Sequence, residues 1–341
     1  MLWRLRLVIE TMSNRFLFFY KRWLKKKNTL LNAKNITFIC GFHGKSGGAQ
    51  AIASIASMLS NKYNICFLSY PSSHFNRLLC DQVSLITKLN FSHELFICDL
   101  STDITILSTL KAHNKKIIIS IHGLKDSSHR LSITHVEQAL KLADKIHFVS
   151  EVQQDSYKLP ENKYFIIPNM TIPVTKTKQT NNIGSVGNLN DIRKGAEDTI
   201  RLGLVSNAEN IHLWSKESSK HNSKRIVCHS WENNKTKIYN SFDILVFMSL
   251  SETFGLVVIE AMSAGIPCVL SGLKVFEQFE HCPGVILIDP KNKTLGAKHI
   301  NYLLENKNTL AEKMKQYYRK HYSPRIILTQ WISIIDNLYN Q

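Results

Sequence analysis

From Ile36 onward, short apolar runs alternate with longer stretches of helical periodicity, and this alternation limits the fold more than any other feature. The first set of runs is Ile36–Cys40, Ile65–Ser69, Leu95–Cys98, Ile117–Ile121, Lys145–Val149 and Tyr164–Ile167. The second is Ile183–Val186, Ile211–Trp214, Arg225–Cys228, Ile244–Met248, Pro267–Leu270 and Val285–Ile288. Runs this short, rich in Ile and Val and bounded by polar turns, read as strands buried on both faces. Strands that alternate with helices predict right-handed βαβ units and parallel sheets, an α/β fold.

Between the two sets lies Pro168–Asn182, which contains Pro173 and a run of Thr, Lys, Gln and Asn with little apolar content. A linker belongs there. The expected organisation is a Rossmann-like domain over residues 36–172 and a second over 173–323, both doubly wound, with a last helix over 324–341. In such a pair the strand C-termini face a cleft, and ligands bind at the topological switch points. A chain of 341 residues is long enough for two such cores.

Hydrophobic residues at 44% and charged residues at 20% exclude global disorder. The charge is unusual. Forty-three Lys and Arg against 26 Asp and Glu leave +17, which calls for an anionic partner: nucleic acid, a membrane surface or a phosphorylated substrate. Seven scattered cysteines (Cys40, Cys66, Cys80, Cys98, Cys228, Cys268, Cys282) form no C-x-x-C pair, so a reducing cytosol is expected and neither a disulfide framework nor a zinc site.

Residues 1–35 differ from the rest. On a helical wheel Leu5, Val8, Ile9, Met12, Phe16, Phe19 and Trp23 fall on one stripe, flanked by Arg4, Arg15 and Arg22 and closed by Lys25, Lys26 and Lys27. Nine basic side chains against Glu10 give this segment +8 of the total. A basic helix with Trp and Phe on its apolar face suits an anionic bilayer interface. The plainer reading is an amphipathic helix packed on its own domain. Arg4, Arg6, Glu10 and Arg15 interrupt the apolar region, and no apolar stretch of about 18 residues exists, so neither a secretion signal nor a transmembrane helix is expected.

The first strand leads into Cys40-Gly41-Phe42-His43-Gly44-Lys45-Ser46-Gly47-Gly48-Ala49-Gln50. Gly44-Lys45-Ser46 is no P-loop, because Ile39 stands where that motif needs its first glycine. Amides of the loop and of the helix beginning near Gly48 can approach an anion or a sugar, and an ordinary tight βα turn remains the other reading.

The most informative stretch is Ser249-Leu250-Ser251-Glu252-Thr253-Phe254-Gly255-Leu256-Val257-Val258-Ile259-Glu260-Ala261-Met262-Ser263-Ala264-Gly265-Ile266-Pro267. A strand ends near Met248, a loop carries Glu252, and a helix starts near Phe254–Leu256 with Glu260 inside it. Free amides at a helix start form an anion site. Two carboxylates separated by seven residues can hold hydroxyls of different parts of one extended ligand while the amides between them take its phosphates. Capping or solvated glutamates are the ordinary alternative.

This stretch strongly resembles the E-x7-E signature of GT-B glycosyltransferases, in particular the retaining family 4 type, the glycosyl transferases group 1. The resemblance extends along nearly the whole chain after residue 35. Gly47-Gly48-Ala49-Gln50 resembles that family's N-terminal glycine loop, and His122-Gly123 its cleft histidine. Ala143-Asp144 with Val149-Ser150 and Ile167-Pro168-Asn169 resemble its domain end and crossing. Gly187-Asn188-Leu189 with Lys194-Gly195 resembles its phosphate block, and Pro324 through Trp331 to Tyr339 its returning C-terminal helix. There are departures: Asn188 replaces a common Arg, and Trp214-Ser215-Lys216-Glu217 replaces a glycine-rich turn near the nucleotide.

The resemblance implies a GT-B fold and a retaining, metal-independent transfer with no cofactor beyond the nucleotide-sugar substrate. Glu260 would hold the nucleotide ribose, and Glu252 the hydroxyls of the donor sugar as an orienting, electrostatic group. Lys194, with Arg193, would neutralise the departing diphosphate. Gly47, Gly48, Phe254, Gly255 and Leu256 would complete the donor site. His122 would meet the donor sugar or acceptor, unless it is a hydrogen-bonded core histidine. Expected partners are a nucleotide sugar, a glycan or lipid-linked acceptor and, through residues 1–35, an anionic membrane surface. The expected location is cytoplasmic and peripheral on a membrane. The rival readings are a nucleotide-sugar epimerase, a phosphorolytic glycosyl transfer and a non-catalytic scaffold. Nucleic acid is not expected, as no zinc-finger spacing, recognition motif or aromatic-interleaved basic strip appears.

Overall fold

The structure, a computed structural model, describes residues 33–41, 47–68, 78–125, 131–215 and 223–340. The basic amphipathic segment expected over residues 1–35 lies outside the described residues except for 33–35.

The first sheet has seven strands: β1 (Asn35–Ile39), β2 (Asn64–Leu68), β3 (Ser84–Ile86), β4 (Leu95–Asp99), β5 (Lys116–Ser120), β6 (Lys145–Phe148) and β7 (Tyr164–Ile166). Their order is β3-β2-β1-β4-β5-β6-β7. The second sheet has β8 (Ile183–Val186), β9 (Ile211–Trp214), β10 (Ile226–His229), β11 (Ile244–Phe247), β12 (Cys268–Ser271) and β13 (Val285–Ile288), in the order β10-β9-β8-β11-β12-β13. Pairing is parallel, as in Phe38 against Phe67 and Ile97 and in Val246 against Val269. Between and after the strands come α1 (Gly47–Leu59), α2 (Ile104–Ala112), α3 (Ile133–Leu142), α4 (Glu151–Tyr157), α5 (Ala196–Val205), α6 (Lys235–Tyr239), α7 (Leu256–Ala264), α8 (Lys293–His321) and α9 (Pro324–Asn340).

All twelve expected strands form, each end within one residue of its expected position. The structure adds β3, which the apolar pattern did not reveal. It is a three-residue, half-buried edge strand whose apolar run is broken by Ser84, whereas the equally short β7 lies in the unbroken run Tyr164-Phe165-Ile166-Ile167.

Two compact units divide the chain. One comprises Met1–Ile121, Arg130–Ile146 and Ile334–Gln341; the other comprises His122–His129 and His147–Ser333. In the first unit the last turns of α9 are tied to the sheet. Asp336 accepts from Lys62 Nζ at 2.9 Å, Tyr63 OH at 3.0 Å and Lys34 Nζ at 3.3 Å, and Tyr339 OH donates to Asn35 O at 2.8 Å.

In the second unit the central strands β8, β11 and β12 are buried on both faces, and successive residues of β11 enter different cores. Leu245 and Phe247 join Tyr239, Phe242, Val258, Phe276 and Phe279. Ile244 and Val246 join Ile183, Ile200, Leu213, Ile300 and Leu303. This is the two-residue alternation of a pleated strand covered by helices on each side. Counted within the unit the strand order is 3-2-1-4-5-6, which puts the reversal of direction between β8 and β11. Among the described residues no helix is long and apolar enough to cross a membrane.

Candidate active site

The loops that leave β8 and β11 meet at this switch point. The β8 loop ends in a 3-10 turn, Ile192–Lys194, whose start is capped by Asp191 accepting from Arg193 N at 3.0 Å. Gly195 follows with φ +62°, and a Cβ there would lie 1.8 Å from Met248 O, so only glycine lets this turn press against the end of β11. Leu250 N donates to Arg193 O at 2.7 Å, and the fully buried Ser249 hydroxyl donates to the same oxygen at 2.9 Å.

These bonds bring Lys194 onto Glu252: Nζ lies 2.5 Å from Oε1, with Ser249 Oγ 3.3 Å from that oxygen. The two side chains are 25% and 14% exposed, so the pair is shielded yet reachable. Lys194 bonds Oε1, and Oε2 has no side-chain partner among the described residues. Arg193 turns elsewhere. Its guanidinium grips Asp191, with Nη2 2.6 Å from Oδ2, and holds that carboxyl below the usual range.

After Glu252 the chain turns at Gly255, φ +100°, into α7. A Cβ on Gly255 would come 2.9 Å from the Phe276 ring. The side chain of Phe254 is buried among Phe279 and Tyr322 at 5.8 and 6.1 Å between ring centres, so this residue offers the site its backbone only. Val258 N donates to Gly255 O at 2.9 Å, which leaves the amides of Leu256 and Val257 at the helix start, where no partner within the helix is within reach. Leu256 is half-buried against the aromatic core.

Glu260, one turn into α7 and 7% exposed, is held on both oxygens. Lys235 Nζ lies 2.5 Å from Oε1, and Tyr239 OH donates to Oε2 at 2.7 Å. Burial and the neighbouring carboxylate raise the Tyr239 phenol well above its ordinary value, so it stays a donor. A carboxylate oxygen accepts two hydrogen bonds, so each oxygen of Glu260 keeps one acceptor position. Two such positions on one carboxylate suit a vicinal diol.

The structure thus brings Lys194, Glu252, Phe254, Gly255, Leu256 and Glu260 together on two adjoining loops and one helix. Gly47 and Gly48 open α1 in the first unit. His122 is in the second unit, with its ring edge-on to His147 at 6.2 Å; burial and the His147 charge lower its pKa to about 3, so it is neutral at physiological pH. Of the departures from the family's pattern, Trp214 and Ser215 are defined, and Lys216 and Glu217 lie outside the described residues. Trp214 stacks on His229 at 3.9 Å and donates to Ser241 Oγ at 2.9 Å, while Ser215 Oγ accepts from Leu189 N.

Sequence reasoning missed Ser249, Lys235 and Tyr239. Lys235 and Tyr239 are four apart and share a helix face, a visible signal. Their common target lies 25 and 21 residues further along, and spacing does not reveal that.

Two doubly wound parallel units, the second with a lysine–glutamate pair and a helix start at its switch point, define the GT-B class of fold. Residues 200–321 match the family model of the glycosyl transferases group 1, and this stretch contains both glutamates. The O-antigen biosynthesis glycosyltransferase WclY of Escherichia coli is 26% identical over 103 residues, which is 30% of this chain and 29% of that protein. The matched stretch is therefore under a third of the curated relative's length. Anabaena Alr3699/HepE, solved in complex with UDP and glucose, superposes with a TM-score of 0.71 at 15% identity, covering 89% of this chain and all of that one. The lipopolysaccharide outer core galactosyltransferase WaaB, in its apo form, gives 0.63 at 14% identity, covering 89% and 99%. The chain has the GT-B fold that the E-x7-E resemblance implied, and over residues 200–321 it is similar to the glycosyl transferases group 1.

Proposed function

We propose that the protein is a retaining glycosyltransferase that moves a sugar from a nucleotide-sugar donor to a glycan or lipid-linked acceptor in cell-surface polysaccharide or glycolipid synthesis. The observation that carries this reading is the pairing of Lys194 with Glu252 beside the start of α7 and one turn from Glu260. In this reading the ribose diol takes the two remaining acceptor positions of Glu260, and the donor-sugar hydroxyls take Oε2 of Glu252. The diphosphate accumulates negative charge as the glycosidic bond breaks. Lys194 and the α7 amides, aimed at that charge before the reaction begins, stabilise the transition state without reorganisation. We assign this role to the ammonium and the amides and propose no metal for it.

Glu252 orients the sugar and is not assigned as a nucleophile. His122, neutral at physiological pH, is offered as a contact to the sugar or acceptor, and Gly47 and Gly48 as backbone contacts to the donor. WclY, an O-antigen biosynthesis glycosyltransferase, and WaaB, a lipopolysaccharide outer core galactosyltransferase, support the acceptor class. UDP and glucose in the HepE structure support the donor class. Peripheral attachment to the cytoplasmic leaflet through residues 1–35 completes the reading, because acceptors of this kind reside at membranes.

The test is a thermal-shift series over UDP, GDP, ADP and CDP and their glucose, galactose and N-acetylhexosamine conjugates. Saturable stabilisation by one nucleotide class is expected, growing with concentration relative to affinity. NMR of the transferred product then reads the anomeric configuration, expected retained. Absence of stabilisation by all of them ends the donor reading, and turnover of a nucleotide sugar to its epimer without acceptor favours the epimerase instead. For the membrane segment, flotation with anionic liposomes compares the full chain with one lacking residues 1–30. Equal binding by both rules that attachment out.

A further inference from the structure

Lys235 opens α6 directly after the cap residue Asn234, whose side chain accepts from Lys237 N at 3.4 Å. A cation at a helix start faces the helix dipole, which favours acidic residues there, so local helix energetics give no reason for this lysine. Its surroundings do. The ammonium lies 2.5 Å from Glu260 Oε1 and donates to Thr171 Oγ1 at 3.3 Å. Thr171 is itself held, since its carbonyl accepts from the buried Tyr318 hydroxyl of α8 at 2.6 Å. Three segments of the second unit, the linker, α6 and α8, therefore combine to fix one ammonium against one carboxylate of α7.

We propose that Lys235 is a positioning residue for the donor's ribose: it pins Glu260 so that the two acceptor positions left on the carboxylate face a vicinal diol together. The inference rests on the reading of Glu260 as the ribose acceptor. Tyr239 alone holds one oxygen and leaves the carboxylate free to rotate about its last bond. Lys235 adds the second point and removes that freedom. It also cancels a charge. Glu252 and Glu260 without counter-ions would repel an anionic diphosphate passing between them, whereas Lys194 and Lys235 neutralise one each.

The experiment measures, by calorimetry on the full chain, the affinities of UDP, GDP, ADP and CDP and of their 2′,3′-dideoxy counterparts. Hydrogen bonds to a charged group make the ribose form of the preferred diphosphate about tenfold tighter or more in the native protein. K235M and K235Q are expected to bring that ratio to within about threefold, and K235R to restore most of it, with melting temperatures recorded for each. K235Q, which keeps a donor and much of the length, carries the test if K235M melts early. A ratio unchanged in both neutral variants, whatever their melting temperature, overturns the role of Lys235. A native protein that fails to distinguish ribose from dideoxyribose overturns the reading of Glu260 itself, which is a different result.

Discussion

Lys194 Nζ stands 2.5 Å from Glu252 Oε1 although 58 residues separate the two in the chain. The contact exists because Gly195 lets the β8 loop touch the end of β11 and because Ser249 ties Arg193 to the loop that carries Glu252. In the proposed function this lysine moves to the donor phosphate and leaves the glutamate to the sugar.

Replacing Lys194 with Ala removes the cation that the proposed function aims at the departing diphosphate. The expected loss in kcat/KM is the equivalent of at least about 2–3 kcal/mol, and Glu260→Ala should lose as much through the ribose. Steady-state kinetics on the identified donor measure both. Near-native values in the two variants would remove this site from consideration.

Tyr239→Phe takes away one hydroxyl and keeps a fully buried ring in its packing. A hydrogen bond to a charged group is worth about 1.5–3 kcal/mol, so nucleoside diphosphate affinity should fall by roughly tenfold to a hundredfold. The ring stays, so melting should move far less than for Tyr239→Ala. Unaltered affinity in the Phe variant would mean that the orientation of Glu260 does not depend on this bond.

Gly195→Ala combines a positive φ with a Cβ placed 1.8 Å from Met248 O. Backbone must shift, and the expected cost is on the order of 2–4 kcal/mol of stability together with a loss of activity out of proportion to it, because Lys194 is displaced. Chemical denaturation and transfer assays on the same preparation report the two effects. A variant as stable as the native chain contradicts the close approach.

His122 and His147 carry folded pKa values near 3 and 4, lowered by burial in each case, against about 6.5 in an unfolded chain. Below about pH 6.5 the unfolded state takes up protons that the folded state refuses. Their contribution to stability is therefore complete above that value and is lost as the pH falls toward 4, by up to about 1.4 kcal/mol per pH unit for each histidine. The imidazole C2 proton resonances of both residues should hold their neutral positions from pH 8 to 5. Titration of either near 6.5 would contradict its burial.

The strands were legible because most are isolated apolar runs bounded by polar turns, and the central ones, such as β5, β11 and β12, are buried on both faces. β3 was not, because Ser84 breaks its short apolar run between Val83 and Leu85. Glu252, Glu260 and the helix start between them were legible from local order along the chain. Arg193 was expected at the phosphates beside Lys194; in the structure its guanidinium bonds Asp191 two residues before it, while Lys194 bonds Glu252. Adjacent residues leave a tight turn in different directions, and the sequence does not say which one faces the site.

The sequence by itself determined the α/β architecture, the strand positions and the glutamate pair, since these depend on periodicities and motifs confined to a few neighbouring residues. The charge of +17 also acquired parts from sequence alone, with +8 assigned to residues 1–35. Tertiary structure alone decided which cation meets which carboxylate: Lys194 with Glu252, and Lys235 with Glu260 from 25 residues away. Such pairs are set by the crossing of loops at the β8–β11 switch point and by the packing of α6 on α7. Coulomb attraction acts through space over a few ångströms, and separation along the chain carries no information about that distance.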